Sequence, residues 1–176
     1  MHRRIGSGSP LMLVHGYLGG QFMWQFQEPL QDDFELIMPS LAGYGESAHL
    51  EAPSSIPGNV DDICRLLDYL EIDKVDLLGH SMGGMVVQEM AANRPERINR
   101  LICLGTGSMG VLPNRFEPIE ESRRKILNLG LEHARENIAR TWFLNPDFEA
   151  GLSLCQSEGA KATKQAALAS LEAWEH

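Results

Sequence analysis

The stretch "VDLLGHSMGGMVVQEMAANRPERI", Val75 to Ile98, decides the fold. It opens on a short apolar run, passes through a serine between glycines, and continues as an apolar segment that Pro95 stops. The run predicts a strand over "KVDLLGH". The apolar segment after the serine predicts a helix over Met82 to Asn93, since proline lacks the N–H and clashes with the preceding turn. Gly79-His80-Ser81-Met82-Gly83 is a GxSxG sequence lying between the two. A strand that turns sharply into a helix strains its turn residue and presses the positions two before and two after against backbone. Gly79 and Gly83 meet that demand, and Gly84 adds room. Ser81 then stands at a helix N-terminus, where free backbone N–H groups favour negative charge. Such a serine has the surroundings to attack a carbonyl and to steady the oxyanion that forms.

Working outward, "LMLVHG" is a compact apolar run closed by Gly16, and "MWQFQEPLQD" reads as a short helix. "FELIMPS" is a second strand ended by Pro39, and "LAGYGES" a turn. Val60, Ile63, Leu66, Leu67 and Leu70 recur at helical spacing, and "INRLICLGTG" supplies a fourth strand. Strands alternating with helices predict an α/β fold, a parallel sheet of about four strands covered by helices on both faces. Past Pro113 no strand-like run appears; the chain is helical and amphipathic, with breaks expected at Gly130, Pro146, Gly151 and Gly159. Residues 1–112 therefore read as an α/β core and 113–176 as an added helical layer.

The 176 residues suggest one domain. Fifteen basic against 24 acidic residues give −9, with no basic run longer than the three residues of "RRK", which argues against nucleic acid and anionic membranes as partners. No run approaches the roughly 18 apolar residues of a membrane span. The start "MHRRIGSGSP" has no apolar core of a secretory signal, so a soluble, cytoplasmic protein is expected. Cys64, Cys103 and Cys155 are widely spaced and form no CxxC, so neither a metal site nor a disulfide framework is expected. Cys64 and Cys103 fall on apolar faces and read as small buried thiols.

Three motifs resemble the α/β-hydrolase family. "GHSMGG" looks like its nucleophile elbow, "LVHGYLGG" (Leu13 to Gly20) like the His-Gly loop after its third strand, and "PSLAGYGES" (Pro39 to Ser47) like the glycine-rich turn after its fourth. Their order and spacing also match, over about residues 10 to 112, and "NRPERI" is a familiar ending for the helix after the elbow. The resemblance implies that Ser81 is the acyl-accepting nucleophile. It implies that the backbone N–H groups of Tyr17 and Met82 form the oxyanion hole, and that Gly16, Gly79, Gly83, His15 and His80 are structural. Ser40 departs from the family's pattern, which commonly has aspartate there.

A serine hydroxyl needs an adjacent base, and in this family the order along the chain is Ser, acid, His. After Ser81 the histidines are His133, inside the charged "GLEHARENIAR", and His176, the last residue. Asp147 and Glu149 precede His176 in a loop-like "NPDFEAG". The family inserts a helical cap and then returns to the sheet with the strands that carry acid and histidine. Residues 113–176 resemble that cap, so the resemblance implies an interior portion of a hydrolase, with acid and histidine absent from it. Too few residues precede "LMLVHG" for the family's first two strands. An open outer edge on the fourth strand is then expected to invite self-association.

The implied activity is cofactor-free hydrolysis of an ester, lactone or related acyl compound through an acyl-enzyme, most like the enol-lactonase and C–C hydrolase branches. The partner is a small-molecule acyl substrate under a roof that includes Leu127, Leu131, Ile138, Trp142 and Phe143. The alternative is a non-catalytic protein on a hydrolase scaffold, binding a ligand or partner.

Overall fold

The computed structural model describes residues 1–110, 117–145 and 148–175. Strands β1 (His2–Ile5), β2 (Ser9–Val14), β3 (Phe34–Pro39), β4 (Val75–His80) and β5 (Ile98–Leu104) form one five-stranded sheet in the order β1-β3-β2-β4-β5. The neighbours among β2, β3, β4 and β5 pair in parallel, as the alternating pattern predicts. β1 is an addition: it runs antiparallel to β3, with Arg3 opposite Met38 and Ile5 opposite Leu36. "HRRI" gives no sequence signal because an edge strand with one neighbour needs no apolar alternation. Its charges are held instead by Arg4 donating to Glu35 at 2.8 Å and by the Arg3–Glu28 pair.

Side chains alternate across the sheet, so each strand feeds two apolar layers. Met12, Val14, Ile37 and Leu77 belong to one, and Leu11, Leu13, Leu36 and Met38 to the other. Both layers are buried, which is why "LMLV" is apolar without a break. Helices α1 (Ile56–Tyr69) and α2 (Met82–Asn93) cover the first. α1 starts where the Ser55 hydroxyl accepts the Gly58 N–H at 3.2 Å, and it turns Ile56, Val60, Ile63 and Leu67 inward. The second layer lies under the segment Gln21–Asp32, which buries Trp24. The sequence predicts a short helix there, and the chain forms a 3₁₀ helix instead, with Pro29 removing a donor that α-helical pairing needs.

β5 is less covered than the pattern of its sequence implies. Leu101, Ile102 and Leu104 are 40%, 43% and 49% exposed, and among the described residues β5 pairs only with β4. Cys103 is accordingly exposed, correcting the expectation of a buried thiol, and Cys64 is half-buried. Cys155 is the buried one.

Beyond the sheet come α3 (Ile119–Leu129), α4 (Leu131–Thr141), α5 (Glu149–Gly159) and α6 (Lys164–Ala173). Gly130 separates α3 from α4, as expected, but Gly151 lies inside α5 and breaks nothing. Its hydrogen can face the Phe148 ring, which a Cβ would meet at 2.3 Å. Pro146 lies outside the described residues.

The helices share a continuous core with the sheet, through Ile119, Ile126, Ile138 and the small residues of α6. Polar fastenings add direction. The Tyr44 hydroxyl donates to the Ala166 carbonyl at 3.1 Å and pairs with the Ser170 hydroxyl at 2.6 Å. The Gln165 side chain both accepts from and donates to the Ala52 backbone, at 3.1 Å each way. Lys161 spans Glu158 at 2.7 Å and Glu46 at 2.9 Å, while Glu158 also accepts the Phe22 N–H at 3.4 Å. Glu158 is only 2% exposed, so α5 is tied by a buried carboxylate to the loops after β2 and β3.

Candidate active site

The turn from β4 into α2 has the strain that the glycine spacing predicts. Ser81 sits at φ 53° and ψ −119°, a positive φ that costs a side-chain-bearing residue about 1–3 kcal/mol. Four hydrogen bonds hold it there. Its N–H donates to the Leu104 carbonyl at 3.0 Å, and its carbonyl accepts from Gly84 at 2.9 Å, Met85 at 3.3 Å and the Thr106 hydroxyl at 2.7 Å. The flanking glycines are sterically required. A Cβ on Gly79 would lie 2.3 Å from the Gly83 carbonyl oxygen, and one on Gly83 would lie 2.3 Å from that of Val14.

The loop after β2 presses on the same serine. A Cβ on Gly16 would meet the Ser81 Cβ at 2.9 Å, so only glycine lets "HGY" pass this close. Tyr17 and Met82 both border one cavity with Ser81. Met82 opens α2, where a backbone N–H has no carbonyl four residues back in the helix to bond. Tyr17 is itself fixed by its hydroxyl, which donates to the Ala167 carbonyl at 3.4 Å, and by an edge-on Trp174 ring 5.0 Å away.

Ser81 stands where two cavities meet. One, of about 140 Å³, is bordered by Met85, Met109, Ile138 and Trp174. The other, of about 480 Å³, is bordered by Met23, Trp24 and Phe26 of the 3₁₀ segment, by Phe143 and Phe148 between α4 and α5, and by Leu154 of α5. Tyr17, Ser81, Gly105 and Trp142 border both. Of the expected roof residues, Ile138, Trp142 and Phe143 reach a cavity. Leu127 does not; it is 53% exposed. Leu131 packs against the main core instead. Trp24, Phe26 and Phe148 escape sequence reasoning because nothing in their spacing tells a cavity wall from packing.

The histidines divide sharply. His15 is buried, and its Nε2 accepts the Leu41 N–H at 2.9 Å, which leaves the proton on Nδ1 to be donated to the Gly16 carbonyl at 2.8 Å. Burial lowers its pKa to about 4, against a smaller opposing effect of the Gly16 carbonyl. With both nitrogens engaged, His15 ties the loop after β2 to the turn after β3. His80 borders the larger cavity, and burial lowers its pKa too. His133 is exposed on α4, where Asn137 bonds its ring at 3.1 Å. Asp147 and His176 lie outside the described residues, and Glu149 is exposed at the start of α5. Among the described residues no histidine or carboxylate is hydrogen-bonded to the Ser81 hydroxyl, and no three potential metal ligands cluster. Ser40, the departure from the family's pattern, is buried and its hydroxyl accepts the Gln21 N–H at 3.2 Å.

The chain has clear relatives. The sequence pattern of the alpha/beta hydrolase fold matches residues 9–140, and the chain belongs to that family. It is 36% identical over 104 residues to the dihydrolipoyllysine-residue acetyltransferase component of the acetoin cleaving system of Pseudomonas putida, covering 58% of this chain and 28% of that one. It is 34% identical over 112 residues to the 2-hydroxymuconate semialdehyde hydrolase of Pseudomonas sp. strain CF600, covering 59% of this chain and 38% of that enzyme. The chain thus matches well under half the length of either relative. In fold it is similar to the enol-lactonase of Burkholderia xenovorans LB400, with a TM-score of 0.88 at 22% identity, over 99% of this chain and 69% of that one.

Proposed function

We propose that the protein is a serine hydrolase cleaving an ester, lactone or related acyl bond through an acyl-enzyme on Ser81. One observation carries this reading: a serine held at φ 53° on the turn into α2, opening on two cavities. Strain of that kind persists only where surrounding structure enforces it, and it clusters at reactive sites. In the proposed reaction the Ser81 hydroxyl attacks the substrate carbonyl while a base takes its proton. The tetrahedral oxyanion lies against the N–H groups of Tyr17 and Met82, at the positive end of α2. Its collapse, with the base returning that proton to the leaving oxygen, expels the alcohol; the base then deprotonates a water that attacks the acyl-enzyme and releases the acid, returning the proton to Ser81.

The base and its acid partner are proposed to come from residues outside those described. Residues 1–112 serve as the core and 113–176 as the roof. The 480 Å³ cavity, with its aromatic walls, suits a small, mainly apolar group, and the 140 Å³ cavity takes the other side of the scissile bond. No metal or cofactor enters the proposed reaction.

The test is turnover of p-nitrophenyl butyrate by the natively produced protein and by Ser81→Ala. The proposal expects the variant to lose at least about 10³-fold in kcat. An unchanged rate in Ser81→Ala contradicts it.

A further inference from the structure

We infer that His80 is a substrate-positioning residue whose imidazole hydrogen-bonds an oxygen carried by the acyl group, beside the scissile carbonyl. The inference builds on Ser81 as nucleophile and goes beyond it by naming a feature of the acyl group. It also departs from the purely structural role that the family resemblance implies for His80.

The larger cavity is walled by Trp24, Phe26, Phe143 and Phe148, so its few polar groups matter; of these, Gln27 comes from the 3₁₀ segment, away from the turn that carries Ser81. His15 has both ring nitrogens engaged, with Leu41 and Gly16. Burial pushes the Cys155 thiol up to about 11, leaving a weak neutral donor. His80 differs from both. Among the described residues neither of its nitrogens has a hydrogen-bond partner, and neither is among the enclosed, unpartnered atoms, so the ring is open to the cavity it borders.

The ring is also held in place. Trp24 meets it edge-on, with centroids 6.5 Å apart and planes at 86°. Gly16 lies on another side, where a Cβ would come within 3.2 Å of His80 Nδ1, and Gly105 on a third, where a Cβ would be 3.6 Å from Cδ2. A polar group fixed in this way costs a ligand little to meet. Burial keeps the imidazole neutral, so it offers one donor and one acceptor and suits a hydroxyl or carbonyl oxygen. A Cβ on Gly16 would meet both the Ser81 Cβ, at 2.9 Å, and His80 Nδ1, at 3.2 Å, so the ring is placed for an oxygen near the scissile carbon rather than at the far end of the acyl chain.

The experiment compares p-nitrophenyl 3-hydroxybutanoate with p-nitrophenyl 3-methylbutanoate, in which a methyl replaces the hydroxyl. One neutral hydrogen bond predicts about a tenfold preference in kcat/KM for the hydroxy ester, carried by KM. His80→Phe should erase the preference, and His80→Gln, which keeps a donor and an acceptor, should restore most of it. A merely structural role would lower both esters together and leave the ratio alone. Equal kcat/KM for the two esters in the natural protein overturns the assignment, and so does an unchanged ratio in His80→Phe and His80→Gln. Turnover of neither ester by a protein whose Ser81 takes a fluorophosphonate label overturns it as well. Absence of that label from Ser81 instead refutes the nucleophile reading on which the inference stands.

Discussion

His15 gives the structure a pH signature that can be worked out in advance. Its folded pKa is about 4 against an ordinary 6.5, because the ring is buried with Nε2 committed to accepting the Leu41 N–H. Protonating Nε2 would set two N–H groups against each other. The folded pKa lies below the unfolded one, so the unfolded chain binds more protons between those values. Stability is therefore full above about pH 6.5 and falls as the pH drops toward 4. The whole interval corresponds to about 3 kcal/mol, of which about 2 kcal/mol is lost between about pH 7.5 and pH 5. Urea unfolding followed by circular dichroism at those two pH values measures the loss. His15→Gln keeps a neutral acceptor for Leu41 and removes the titration. Other groups, His80 included, titrate in both proteins, so the difference in slope isolates His15. The variant is expected to start about 1 kcal/mol less stable and to lose about 2 kcal/mol less on acidification. Parallel pH dependence in the two proteins would refute the assignment of its protonation and bonding.

The elbow and the α5 anchor can be probed in the same way. Ser81→Gly removes the strained side chain, and strain relief outweighs the entropy that glycine costs; unfolding should show a gain of about 1 kcal/mol, and a loss of stability would argue against strain. Glu158→Gln removes the buried charge that Lys161 and the Phe22 N–H serve, so amide exchange in α5 should speed up by roughly tenfold or more while β2 and β4 stay protected. Uniform exchange throughout would show that α5 is not held by this contact.

The elbow was legible in the sequence because its glycines have fixed spacing from Ser81: Gly79 faces the Gly83 carbonyl within the same turn, and Gly83 faces the Val14 and His15 carbonyls at the end of β2, so neither position takes a side chain. The parallel strands were legible because burial on both faces leaves "LMLV" and "VDLL" continuously or nearly apolar. β1 was not, because its residues answer to ion pairs and one neighbour. The 3₁₀ segment at Gln21–Asp32 carries an apolar pattern that α-helix and 3₁₀ helix share. Gly151 misled because a glycine can serve close packing against an aromatic ring as well as a helix end. The cavity walls and the open ring of His80 depend on where α4 and α5 come to rest, which no spacing in the chain encodes visibly. His15 and His80 look alike in sequence, each at the end of a strand before a turn, and the bonds His15 makes to Leu41 and to the Gly16 carbonyl separate them.

The central claim is that Ser81 is an acyl-accepting nucleophile, and covalent labelling tests it most directly. The natively produced protein is treated with a fluorophosphonate, digested with trypsin and analysed by mass spectrometry. Cleavage after Lys74 and after Arg97, with the Arg94–Pro95 bond resisting, yields a peptide from Val75 to Arg97 in which Ser81 is the only serine. The account predicts the phosphonyl mass on that peptide and its absence in Ser81→Ala. An unlabelled peptide in the natural protein, or equal labelling in the variant, would contradict it and turn the search toward a binding role for the same cavities.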